Sequence, residues 1–260
     1  MHITLDGKIA LVTGGSSGIG KGIALALAAS GAQVAIMYST HRESADASAK
    51  EIIDAGGKAI AVGCSISDPA SVQAMFDTVE KELGPVDILV NSAGIDGKQA
   101  PSWEIDPADW RQVIDVNLIG AFLCARLALK GMVARRSGVV LNISSVHETI
   151  AWSGYSAYTA SKAGVAMMTK TMAQEAAPFG VRVLALAPGA IKTDINRAVW
   201  DDPTQLKDLL TKIPLGRMGQ VQDIADMAVV LVSDVGGYVT GTTVFVDGGM
   251  TDYPEFAHGG

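Results

Sequence analysis

The chain has only two cysteines in 260 residues, few aromatics and no excess of positive charge, and each shortage removes a class of protein. Cys64 and Cys124 lie in separate apolar stretches, with no CxxC pair and no Cys/His cluster. Neither a disulfide framework nor a metal site is expected, and both read as buried thiols of a reducing compartment. Lys and Arg number 20 against 27 Asp and Glu, a formal net charge of -7. That balance repels phosphate backbones and anionic lipid, so nucleic acid and membrane are not expected partners. The opening MHITLDGKIALVTGG has no basic region followed by a long apolar run, which argues against a signal peptide. No stretch approaches the roughly 18 uninterrupted apolar residues of a membrane span. A cytoplasmic location is expected.

What the chain does have is hydrophobic length. With 48% hydrophobic and 18% charged residues it can bury a large core, and residues 1–260 read as one domain. Short apolar runs begin at KIALVTG (8–14) and recur at 33–39, 58–64, 86–92, 138–144, 181–187 and 243–248. Nearly continuous hydrophobicity suits strands covered on both faces. Between them lie segments with apolar positions at helical intervals, several ending at Gly, among them 107–136 and 155–180. The alternation predicts an α/β fold: a Rossmann-type doubly wound parallel sheet of about seven strands, helices on both faces, and a ligand crevice at the carboxyl ends of the strands. The longest irregular insert, 188–220, contains Pro203 and Pro214 and suits a lid over that crevice.

The first strand runs into TGGSSGIG and then a helix. Thr13, Gly14, Ser16, Ser17, Gly18, Ile19 and Gly20 are therefore candidates for binding a dinucleotide. Glycines at 14, 18 and 20 allow a tight turn and bring helical N–H groups close to a pyrophosphate. A carboxylate ending strand two would accept from the adenosine ribose and repel a 2′-phosphate. The strand here ends in Tyr38, Ser39 and Thr40, with Arg42 just after. Arg42 and the two hydroxyls suit a 2′-phosphate, so NADP, or use of both NADP and NAD, is favoured. The plainer alternative is that Arg42 opens the next helix and pairs with Asp46 at i+4.

The Gly-rich turn, NSAG at 91–94, Asn117 in a long helix, Ser145, Tyr158, Lys162 and PGAIKT at 188–193 together resemble the short-chain dehydrogenase/reductase family over nearly the whole chain. The resemblance implies an NAD(P)-dependent oxidoreductase with Asn117, Ser145, Tyr158 and Lys162 at its catalytic centre. It implies that Asn117 binds a water linking Lys162 to solvent. It also sets Ser65, Ile66, Asn91, Ala93, Gly94, Pro188, Gly189, Ile191 and Thr193 along the cofactor, with Ile191 and Thr193 at the nicotinamide amide. A homotetramer follows, with the helices of Asn117 and Tyr158 across one twofold interface. Two positions depart from the family pattern. Ser92 replaces a second Asn, leaving Asn91 to hold the sheet, and Ser65 stands where an adenine-binding Asp is common, Asp68 instead capping the helix from Pro69.

Chemistry gives the same residues work. A hydride leaves an alcohol carbon only if the hydroxyl proton is removed in step. A phenol of pKa about 10 is a poor base, but the charge of Lys162, one helical turn from Tyr158, together with that of an oxidised nicotinamide, is expected to lower that value. Small neighbours, from Ser156 to Gly164, let this helix approach the cofactor and other elements. Ser145, just past a strand tip, would hold the substrate oxygen, whereas Ser144 should point away. His147, Glu148 and Trp152 beside it suit a polyhydroxylated ring, or alternatively form a solvated loop with a core indole. The stretch SSVHETIAWSGYSAY and the C-terminal tail are similar to bacterial glucose 1-dehydrogenases within the family. The expected activity is oxidation of a sugar or polyol, such as an aldose to its lactone. The alternatives are a 3-oxoacyl thioester or other carbonyl reductase, and a dinucleotide-binding regulatory protein without turnover.

Overall fold

A computed structural model describes residues 3–252; Met1, His2 and residues 253–260, which include the end of the tail compared above, lie outside the described residues. The elements run β1 (Ile9–Thr13), α1 (Gly18–Ala29), β2 (Gln33–Tyr38), α2 (Arg42–Asp54), β3 (Ala59–Gly63), α3 (Pro69–Glu82), β4 (Ile88–Asn91), α4 (Pro107–Ile114) and α5 (Gly120–Arg135). They continue with β5 (Gly138–Ile143), α6 (Ser156–Ala176), β6 (Val181–Pro188), α7 (Arg197–Trp200), α8 (Pro203–Leu210), α9 (Val221–Val232) and β7 (Thr243–Val246). All seven expected strands form one parallel sheet in the order β3-β2-β1-β4-β5-β6-β7. The chain winds outward from β1 to β3, then returns to lay β4 beside β1. That reversal opens the crevice at the carboxyl ends of β1 and β4, where Thr13 pairs with Asn91.

Strand alternation divides the core between two helical layers. In β1, Ala10 and Val12 pack with Ile23 and Leu27 of α1 and Ile224 of α9, while Ile9 and Leu11 face Val72 and Met75 of α3, Cys124 of α5 and Met172 of α6. Helix α1 crosses α9 so closely that a Cβ on Gly22 would collide with Val221. Both cysteines are buried free thiols, and burial pushes Cys124 up to about 12.

The helix expected over 107–136 contains an irregularity that periodicity does not reveal. Between α4 and α5, Asp115–Ile119 forms a π turn, closed by Gly120 N donating to Asp115 O. The helical run Pro107–Arg135 includes a stretch long and apolar enough to cross a membrane by length and composition, although Asp115, Asn117 and Arg126 leave no uninterrupted apolar run. Its α5 portion buries Cys124, Ala125, Ala128 and Met132 against the sheet, the behaviour of a core helix.

A buried polar chain links the sheet to the helix that carries the site. Asn91 Nδ2 donates to Ala121 O at 3.1 Å and Asn142 Oδ1 at 2.9 Å, and Asn142 Nδ2 donates to Thr169 Oγ1 of α6 at 2.9 Å. Asn91 thus holds the sheet as expected through Nδ2, while its buried Oδ1 has no hydrogen-bond partner among the described residues. Asn142→Ala should orphan polar atoms on both neighbours and cost about 1–3 kcal/mol. Urea unfolding followed by circular dichroism is expected to show a lowered midpoint.

Candidate active site

The Gly-rich turn lies at the carboxyl end of β1. Gly14 and Gly18 adopt positive φ of 65° and 52°, open to glycine at little strain. A Cβ on Gly20 would strike the Gly14 carbonyl, and one on Gly14 would meet the Ala93 backbone at 2.9 Å. Thr13 Oγ1 accepts from Ser92 N and Ala93 N at 3.0 and 3.1 Å, joining this turn to the one after β4. Ser17, the N-cap of α1, makes no side-chain capping bond. The first N–H groups of α1 therefore lack a protein cap, and with the glycine cradle they fit a pyrophosphate.

The remaining cofactor candidates divide between side chains and main chain. Ser39, Thr40 and Arg42 are exposed beyond β2, with no acid at the strand tip. Arg42 does open α2 and meets Asp46, Nε to Oδ2 at 3.4 Å, but both are well exposed and the contact is long. Such a pair is weak enough for Arg42 to turn to another anion. Tyr38 covers the backbone of Gly63 in β3. Ser65 is exposed, while Asp68 caps α3 through Ala70 N and Ser71 N, both at 3.2 Å. The side chains of Ile66 and Ile191 are in the core, which leaves only their main chain for a ligand. Thr193 N and Oγ1 both donate to Asn196 Oδ1, at 3.0 and 3.2 Å, so this hydroxyl is already engaged. Pro188 ends β6, and Gly189 lies so near Asp247 that its Cβ would fall 2.7 Å from Asp247 Cα.

Ser145, Tyr158 and Lys162 converge beyond β5. Ser145 is buried, and its Oγ accepts from His147 N at 3.2 Å. Ser144 turns the other way, toward Lys162 O. Tyr158 and Lys162 share one face of α6, with Lys162 Nζ 5.5 Å from the centre of the phenol ring. Nζ donates to Ile143 O at 2.9 Å, and burial lowers the lysine to about 8.

Without a nicotinamide beside it, the phenol is not acidified. Burial pushes Tyr158 up to about 12, and the nearby Ser145 hydroxyl offsets only part of that rise. The Lys162 ammonium is meanwhile engaged by Ile143 O. In the protein alone, Tyr158 is thus a protonated donor.

Asn117 lies on the π turn and is buried. Its Oδ1 accepts from Ile95 N at 2.8 Å, and Nδ2 donates to Ile95 O and Ser161 Oγ at 2.9 and 3.1 Å. Its amide is thereby committed to structure beside the catalytic helix. Gly94 leaves space there, since a Cβ would sit 3.3 Å from Asn117 Oδ1 and 3.9 Å from Lys162 Nζ. The small residues of α6 serve the same approach. Gly164 admits Leu118 of the π turn, and Ser161 Oγ donates to Tyr158 O at 2.7 Å.

Trp152 is stacked between His147, centroids 4.5 Å apart, and Tyr155, 3.9 Å apart, and meets Tyr158 edge-on at 5.7 Å. It is 37% exposed, which places the indole at the mouth rather than in the core. His147 Nδ1 lies 3.0 Å from Ile150 O, so Nδ1 carries the hydrogen and Nε2 remains an acceptor. Burial lowers its pKa and favours the neutral ring. Glu148 Oε2 is buried with no hydrogen-bond partner among the described residues.

This constellation agrees with the comparisons. Residues 14–251 match a family model described as Enoyl-(Acyl carrier protein) reductase. The chain belongs to the short-chain dehydrogenase/reductase family. It is 45% identical over 260 residues, 100% of this chain and 99% of the relative, to 3beta-hydroxysteroid dehydrogenase 1 of Eggerthella lenta. It is 42% identical over 256 residues to glucose 1-dehydrogenase 2 of Bacillus subtilis, covering 98% and 99% of the two chains. The crystal structure of a gluconate 5-dehydrogenase from Burkholderia cenocepacia, in complex with NADP and tartrate, superposes with TM-score 0.91 at 37% identity, covering 96% and 98%. The chain is therefore an oxidoreductase of a family that uses NAD(P).

The raised phenol gives a direct check. In the cofactor-free protein, the ultraviolet difference between wild type and Tyr158→Phe should contain little phenolate at pH about 10, where an ordinary phenol is half ionised.

Proposed function

We propose that this enzyme oxidises a CH–OH group of a sugar or polyol, with an aldose such as glucose going to its lactone as the leading case. The observation that carries this reading is the His147–Trp152–Tyr155 stack beside Tyr158. With the indole sandwiched between His147 and Tyr155, the stack forms an apolar wall that suits sugar C–H groups, and the free His147 Nε2 and Glu148 Oε2 supply acceptors for hydroxyls. Similarity to glucose 1-dehydrogenase 2 supports the same choice. A second reading, a hydroxysteroid or other secondary alcohol on the same aromatic face, draws on the relative from Eggerthella lenta.

A bound nicotinamide supplies the acceptor for the departing hydride. Ser145 and Tyr158 hold the substrate oxygen between two hydroxyls, so the carbon that gives up hydride is oriented before reaction. In oxidation Tyr158 must take the substrate proton, and Lys162 is the cation on the same helix face that favours its ionised form. In the reverse direction the protonated phenol is ready to donate. Arg42 with Ser39 and Thr40 favours NADP, or dual use, over strict NAD. The exposed apolar side chains Ile119, Phe122 and Met167, from the π turn, α5 and α6, support a homotetramer with these helices at one interface. A cytoplasmic enzyme acting on a soluble small molecule is the corresponding setting.

Reduced-nicotinamide absorbance with aldoses, polyols, hydroxysteroids and 3-oxoacyl thioesters, each with both cofactors, tests the reading. Turnover is expected with at least one aldose or polyol, and its absence from all of them rejects the proposal. Tyr158→Phe should remove turnover while leaving cofactor affinity within about twofold, since the hydroxyl acts on the substrate oxygen. Arg42→Gln should raise the KM for NADP by about tenfold and leave NAD nearly unaffected, as expected for loss of one charge-assisted contact. Equal changes for both cofactors would remove Arg42 from that role.

A further inference from the structure

The turn after β6 is held by bonds that leave one of its N–H groups free. Gly189 N donates to Val246 O at 3.1 Å, Ala190 N to Met250 Sδ at 3.3 Å, Lys192 N to Gly219 O at 2.8 Å and Thr193 N to Asn196 Oδ1 at 3.0 Å. Ile191 N, in their midst, donates to nothing among the described residues. The side chain of Ile191 is in the core, so this N–H is its donor for a ligand. Its direction is fixed by the planar peptide it shares with the Ala190 carbonyl, which points the opposite way and accepts from Gly219 N at 2.9 Å.

Met250 holds the preceding peptide. With the Ala190 N–H bound on one side and the Ala190 carbonyl on the other, both peptide planes at Ala190 are set, and with them the free Ile191 N–H. The thioether is presented by a folded turn after β7. Asp247 Oδ1 accepts from Gly249 N at 2.9 Å, and Oδ2 from Thr251 N and Oγ1 at 2.8 and 2.7 Å, so one carboxylate braces the residues on either side of Met250. A thioether is a weak acceptor, but a leucine of similar volume is none, which separates this bond from packing.

We infer that Met250 is a positioning residue for the cofactor: by holding the Ala190 N–H it sets the turn so that the free Ile191 N–H meets the carboxamide oxygen of the nicotinamide. The inference rests on the reading of 188–193 as the nicotinamide-binding turn and is independent of which alcohol is oxidised. Without the Met250 bond the Ala190 peptide can rotate, and the cofactor must order it on binding. Adenosine and pyrophosphate are assigned to the Gly-rich turn and the residues after β2, so only the nicotinamide half should register the loss.

Calorimetric titration compares NADPH with 2′-phospho-ADP-ribose and NADH with ADP-ribose, each pair differing in the nicotinamide ring, and reads the pair that wild type binds more tightly. Met250→Leu is expected to weaken the reduced cofactor about fivefold, the range of one hydrogen bond, and to leave its ADP-ribose counterpart within about twofold. Met250→Gln, whose amide oxygen can accept from Ala190 N, should stay within about twofold of wild type for both ligands. A Leu variant that binds reduced cofactor like wild type, one that weakens both ligands alike, or a Gln variant that loses as much as the Leu variant overturns the inference. Gly189→Ala tells that failure from a failure of the underlying reading, because its Cβ, 2.7 Å from Asp247 Cα, pushes the turn itself. If this variant folds and spares the reduced cofactor, 188–193 is not the nicotinamide-binding turn. A loss there with none in Met250→Leu removes only Met250 from its role, and where Gly189→Ala does not fold the Met250 variants still decide the inference.

Discussion

The site depends on the burial of one ammonium group. Lys162 sits on the inner face of α6, deprived of water and held chiefly by the carbonyl of Ile143 at the tip of β5. A buried charge is tolerable only where dipoles and counter-charges are fixed in place. The position of α6 against the sheet is therefore constrained, and the polar chain from Asn91 through Asn142 to Thr169 supplies part of that constraint. Once α6 is placed, Tyr158 follows one turn away and Ser145 meets it from the end of the adjacent strand.

Much of this was legible because parallel sheets write themselves plainly. Runs such as IALVT and GVVLNI are buried on both faces, so continuous hydrophobicity marks them, and the glycines of the first turn announce a close backbone approach. Tyr158 and Lys162 were found because i and i+4 on a helix share a face. The less legible features depend on where side chains turn after folding. The phenol's raised pKa arises from burial, which the Ser145 hydroxyl only partly offsets. Ile66 and Ile191 lie at the right places in the chain, but their side chains pack inward. Asn142 resembles any polar residue interrupting a strand until its partners on β4 and α6 are seen.

The aromatic stack adds a second kind of order. His147, Trp152 and Tyr155 come from the loop between β5 and α6, yet plane-on-plane contact gives that loop a rigid inner wall. The ring of Tyr158 meets this wall edge-on, so the substrate-facing surface and the reactive hydroxyl are positioned by one set of contacts.

The π turn at Asp115–Ile119 has a geometric consequence for the helix it interrupts. One residue beyond the α-helical count advances everything after it by about a hundred degrees around the axis. The inward stripe of α4 is thus out of phase with that of α5, and no single helical wheel drawn through 107–135 can describe both. Shortening the turn by one residue would swing Cys124, Ala125, Ala128 and Met132 off the sheet together, so chain length here is as tightly fixed as residue identity.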